Sequence, residues 1–227
     1  MKRWHNNGRL QWGKLEVSGG LLFWIALLWY LDYDVVLACF LPAAALHELG
    51  HILAVWQCGG SVRRLRLSLV GAELVLDGRE RLSYRQELWV AAAGPLTNLV
   101  TGVLAAQLWR SDHGEGLLLF AGASLVLGCF NLLPLEALDG GQMLCAVLSG
   151  LGTPKAGEKI RTAASWLVAA GLLGGGAWLL WTTRYNLSLL AVGLWAAVSM
   201  AKPWEKSTEY FQTSLNRMRQ AQRRRRQ

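Results

Sequence analysis

Ala45 to Val55 reads ALHELGHILAV, and it places two histidines and a glutamate inside an apolar run, residues 35–57, of membrane-crossing length. An ionisable side chain at the centre of a bilayer costs about 2.5–3.5 kcal/mol, so His47, Glu48 and His51 must face a protein or water-filled interior, paired or liganded. Helical positions i and i+4 lie nearly one above the other, so the imidazoles of His47 and His51 are able to grip one ion from a single face. Neutral imidazole suits zinc. Glu48 stands about 100° around the helix from His47, close enough to reach a metal's water without itself binding the metal. Two other readings compete: histidines that serve as core hydrogen-bonders, and a zinc or proton transporter that uses the same residues.

The rest of the chain supports a membrane setting. Of its 227 residues 53% are hydrophobic and 17% charged, with 12 tryptophans, whereas a soluble domain carries about a quarter charged residues. Apolar runs fall at 17–31, 35–57, 88–109, 116–135, 162–183 and 187–200, which predicts about six transmembrane helices. The first and last are short. The opening 16 residues are polar and basic and lack a small-residue cleavage pattern, so the first run is expected to stay as an anchor. The net charge of +8 is uneven: Lys2, Arg3, Arg9 and Lys14 precede the first run, Arg63, Arg64, Arg66, Arg79, Arg81 and Arg85 follow the second, and Lys155, Lys159 and Arg161 follow the fourth. Asp32 and Asp34 follow the first. This alternation predicts both termini in the cytosol. Cys39, Cys58, Cys129 and Cys145 form no CxxC pair and read as packing residues.

Between the second and third runs the pattern changes to a period of two. Val62, Leu65, Leu67, Leu74 and Leu76 alternate with Arg64, Arg66 and Ser68 between glycine turns, which predicts a β-hairpin over 62–77. An open strand edge is not tolerated in lipid, so the hairpin belongs at the interface or in a wet cavity. The third run contains GPLTN, in which Gly94 and Pro95 read as packing or a kink and the buried amide of Asn98 calls for a partner on a neighbouring helix. The fourth run ends in NLLPLEALDGG, where Pro134 and the pair Gly140 and Gly141 predict irregular backbone. Asp139 then reaches a depth similar to that of His51, on chain free to fold back towards a metal, and is the natural third ligand.

HELGH, GPLTN and NLLPLEALDGG, in that order, resemble the site-2 protease family of intramembrane zinc metalloproteases over about half the chain, and within it the stage IV sporulation protein FB subgroup. The resemblance implies that His47, His51 and Asp139 bind one Zn2+, that Glu48 performs general acid/base work, and that Asn98 and Asn131 position substrate or the metal-site loop. It implies an integral, multi-pass protein of the bacterial cell membrane that cuts a membrane-associated protein substrate. The expected organisation is a six-span metalloprotease domain over 1–202, all-α with a small membrane-associated hairpin, and a basic cytosolic tail over 203–227. That tail is expected to meet anionic lipid headgroups rather than nucleic acid, and to leave no room for the CBS or PDZ domain that relatives often carry. An oligomer or a regulatory membrane partner is compatible with all of this.

Overall fold

The computed structural model describes residues 3–5, 9–12, 15–30, 34–68, 71–77, 82–110, 114–152, 154–184 and 187–201. Asp32, Lys202 and the tail over 203–227 lie outside them. The described chain falls into two compact units: residues 1–79 with 93–130, and residues 80–92 with 131–227.

The first unit opens with a sheet. Strands β1 (Arg3–His5), β2 (Arg9–Trp12), β3 (Leu15–Ser18), β4 (Ser61–Ser68) and β5 (Gly71–Asp77) lie in that order, antiparallel except for the parallel pair β3 and β4. The hairpin expected over 62–77 is present as β4 and β5, with Leu65 opposite Leu74 and a bulge between Val62 and Arg64. It is not a free two-stranded element, because the polar, basic opening segment, for which no strands were expected, supplies three more. β4 is therefore internal and β5 is an edge. The reason lies in one charge pattern: Glu16, opposite Arg66 in the register, is 6% exposed and accepts hydrogen bonds from the guanidinium groups of both Arg64 and Arg66. Three ionised groups brought together across β3 and β4 cost less to bury than Glu16 alone would.

From β3 the chain turns directly into α1 (Gly19–Tyr30), whose start is capped where the Ser18 hydroxyl accepts from the Leu21 N–H at 3.3 Å. Helix α2 (Asp34–Gln57) follows. It ends at Gly59, whose φ of +75° lets Gly60 donate back to the Val55 carbonyl at 2.9 Å and sends the chain into β4. The unit also holds the Ala93 onward portion of α3 (Tyr84–Trp109) and nearly all of α4 (Glu115–Asn131).

In the second unit, α3 begins with a reciprocal cap. The Ser83 hydroxyl accepts from the Gln86 N–H at 3.3 Å, and the Gln86 side chain accepts from the Ser83 N–H at 2.8 Å. After α4 come residues 132–138, then α5 (Asp139–Gly150), α6 (Pro154–Thr183) and α7 (Ser188–Ala201). Helices α6 and α7 pack backbone to backbone: a Cβ on Gly176 would stand 2.6 Å from the Leu190 nitrogen, and one on Gly193 2.9 Å from that of Leu173.

Helices α2, α3 and α6 are long and apolar enough to cross a membrane, and α4 and α7 are shorter apolar helices. Each of the six expected runs contains a helix, though 17–18 is strand and 132–135 is not helical, and at 12 residues α1 rises only about 18 Å against a hydrocarbon core of about 30 Å. Leu167 at 76% exposure and Trp181 at 85% leave large apolar side chains turned outward, a surface suited to lipid. The main departure from expectation is α5, where the sequence predicted irregular chain. Asp139 is instead its first residue, preceded by Leu138 in extended conformation. Gly140 and Gly141 are glycines because of packing rather than turning: a Cβ on either would lie 2.1 Å from a carbonyl oxygen of the preceding segment, Leu132 for Gly140 and Leu135 for Gly141.

Candidate metal centre

The site grows from α2. The four-residue spacing of His47 and His51 puts both side chains on one face, where they are 5% and 7% exposed. Their rings meet edge to face at 80°, with centroids 4.8 Å apart and the two Nε2 atoms 3.2 Å apart. Glu48, next to His47, is half-buried.

Helix α3 closes in on this face through small residues in both directions. A Cβ on Gly50 would meet the Thr97 hydroxyl at 2.4 Å and the Ala93 carbonyl oxygen at 2.7 Å, and a Cβ on Gly94 would lie 2.2 Å from His51 Nε2. Sequence reasoning assigned Gly94 to packing or a kink; what it does is leave room for the imidazole of His51. The conflict a Cβ would create is with the ring atom that faces His47, so the ring, not the helix, has to move. Gly94→Ala is expected to lower zinc content at least ten-fold while the protein still folds, checked by metal analysis of purified protein beside its melting temperature. A full complement of zinc in that variant contradicts this role for Gly94.

One turn further along α3, Asn98 is fully buried. The partner its amide finds is not helix backbone but a side chain: Asn98 Nδ2 stands 3.4 Å from His47 Nδ1, while Asn98 Oδ1 has no hydrogen-bond partner among the described residues. With the amide turned over, its oxygen accepts from a protonated His47 Nδ1 and its nitrogen takes the position that has no partner among the described residues. That tautomer leaves the lone pair of His47 on Nε2, pointing towards His51. Metal-ligating histidines are held in this way, with the far ring nitrogen donating to an oxygen.

The arrangement fits zinc on this chemistry. Two nitrogens bound at about 2.0–2.1 Å to one tetrahedral ion stand about 3.3 Å apart, close to the 3.2 Å observed. Asp139, expected as a ligand, is the first residue of α5 in the second unit. Asn131 is the last residue of α4, seven positions before Leu138.

Comparison with known proteins agrees with these motifs. Residues 106–174 match the family described as peptidase family M50. A zinc metalloprotease of Methanocaldococcus jannaschii is 29% identical over 140 residues, 60% of this chain and 38% of that protein. Stage IV sporulation protein FB of Bacillus subtilis is 26% identical over 172 residues, 75% of this chain and 59% of that protein. The chain thus spans less than two thirds of these relatives' lengths. Among solved structures, the site-2 protease from Methanocaldococcus jannaschii shares the fold, with a TM-score of 0.63 over 88% of this chain and 93% of that one at 21% identity. Beside the HELGH helix and its paired imidazoles, these matches make the chain similar to peptidase family M50 over residues 106–174 and to a site-2 protease in fold.

Proposed function

We propose that this protein is an intramembrane zinc metalloendopeptidase that hydrolyses a peptide bond in or beside a membrane-embedded segment of a substrate protein. The observation that carries the reading is the buried His47 and His51 pair, with Nε2 atoms 3.2 Å apart and Glu48 beside it on the same helix. His47, His51 and Asp139 would each supply one ligand atom to one zinc. When bound there, zinc lowers the pKa of its water towards about 7 and polarises a carbonyl. Glu48 would take the proton of the attacking water on its carboxylate and pass it to the leaving amine nitrogen. Asn98 keeps His47 in the tautomer that presents Nε2, and Asn131 helps to position the substrate.

The same reading has six spans, both termini in the cytosol, and a basic tail that meets anionic headgroups at about 1 kcal/mol for each basic residue near the surface. A regular helix hides its peptide bonds, so the substrate must unwind, and the outer edge of β5 offers a place to hold an unwound segment as an added strand. Proline substitution along Gly71–Asp77 should impair cleavage at those positions whose N–H groups face outward, with zinc content unchanged. If none of the seven positions affects cleavage, strand addition at β5 is wrong.

The activity itself is tested by comparing membrane proteomes of cells that express the parental protein or Glu48→Gln. Fragments ending within a membrane segment should form only with the parental protein, and only while zinc is not chelated. Identical proteomes under conditions in which the parental protein is folded and zinc-loaded would count against proteolysis.

A further inference from the structure

The segment that delivers Asp139 is short, and α6 holds it at two points. Arg161 and Ser165, four residues apart, share a face of α6 and are 3% and 0% exposed. Arg161 donates through an NH2 group to the Glu136 carboxylate at 2.8 Å. The Ser165 hydroxyl lies 3.1 Å from the Pro134 carbonyl oxygen and 2.9 Å from that of Arg161, its one hydrogen serving either. From the other side, the absent side chains of Gly140 and Gly141 let residues 132–135 lie directly on the first turn of α5. Within the segment the Leu138 N–H donates to the Leu135 carbonyl at 3.0 Å, and Leu135 and Leu138 are 1% and 7% exposed. Asp139 therefore follows a stretch fixed on both sides.

We propose that Arg161 and Ser165 are positioning residues, which hold residues 134–136 against α6 so that Asp139 starts α5 in one fixed place. Arg161 carries the larger share. A guanidinium this deeply buried is costly unless paired, and its nearer carboxylate belongs to the segment, whereas Glu158 on its own helix stands 3.8 Å away. Among the described residues, the carboxylate that meets Arg161 at hydrogen-bond distance is that of Glu136, in place when residues 134–136 are docked. Docking of the segment and burial of the charge are thus one event. The argument uses contacts within the second unit alone, and only its consequence for zinc rests on the function proposed above.

The test uses Glu136→Gln, Arg161→Gln, the two together, and Arg161→Lys, all in the full-length protein in detergent. Amide hydrogen exchange reports the segment directly, and competition with a chelator reports zinc affinity. Each neutralised single variant should expose the Leu138 and Gln142 amides to exchange at least ten-fold faster and weaken zinc binding at least ten-fold. The double variant should be no worse than the worse single one, because one contact is lost in all three. Arg161→Lys, which keeps the charge, should recover part of both effects, and Glu158→Gln should change each by less than two-fold. Exchange at Leu138 and Gln142 that is unchanged in Glu136→Gln overturns the proposal, whether or not the protein is a protease. Should Arg161→Gln fail to fold, Glu136→Gln decides alone, since its carboxylate is 22% exposed and its loss is the milder change. A parental protein with neither zinc nor cleavage, but with the exchange pattern as expected, would count against the protease reading and leave the positioning role standing.

Discussion

Glu48→Gln should keep near-normal zinc and lose cleavage by several orders of magnitude. The substitution preserves size and one hydrogen-bonding oxygen but removes the base. Glu48 is half-buried on α2 beside His47, and glutamine fills the same volume there, so the imidazoles are expected to stay in place. General acid/base assistance is typically worth about 10²–10⁴-fold in rate, and a water that keeps its proton is a far poorer nucleophile as well. The comparison is made on purified protein, with metal measured by mass spectrometry and cleavage measured on a reconstituted membrane substrate. Cleavage at the parental rate would remove Glu48 as the base, and zinc-loaded parental protein that cleaves nothing would favour a transporter that uses the same histidines.

Asp139→Ala should behave differently and lower zinc content and cleavage together. Two imidazoles alone make an incomplete site for an ion that takes three protein ligands and keeps the fourth position open. Asp139 also sits in the first turn of α5, where a negative charge is worth about 0.3–1 kcal/mol to the helix, too little for its loss to unfold the protein. The folded variant should therefore hold less than about a tenth of the parental zinc, beyond the loss expected from helix destabilisation alone. Normal zinc with lost cleavage would move Asp139 from metal ligand to some other part of the reaction.

The two histidines were legible from sequence because their message is local. Four-residue spacing in a helix fixes their mutual placement whatever surrounds them, and the apolar run guarantees the helix. Gly94 and Asn98 were half legible: GPLTN announced close packing and a buried amide, but that the glycine clears the His51 ring and the amide meets His47 depends on a contact between residues more than 40 positions apart. The hairpin was read correctly from its period of two. The three strands before it were not, since they are three or four residues long, polar in part, and held to the hairpin by a parallel pairing of Glu16 with Arg66 that no local pattern reveals. Around Asp139 the signal misled. Pro134 and the glycine pair suggested irregular backbone, whereas the glycines are there so that a carbonyl-lined turn fits against a new helix. The Arg161 and Glu136 pair, 25 residues apart and each unremarkable in its own segment, became readable only once α6 and residues 132–138 were seen together.

The central claim, one zinc held by His47 and His51 with a carboxylate, is tested most directly by X-ray absorption at the zinc edge on purified Glu48→Gln protein. The claim predicts one zinc per chain, with two imidazole nitrogens at about 2.0–2.1 Å and oxygen for the remaining ligands. Protein that stays folded but binds no zinc, or binds it through sulfur, would contradict it.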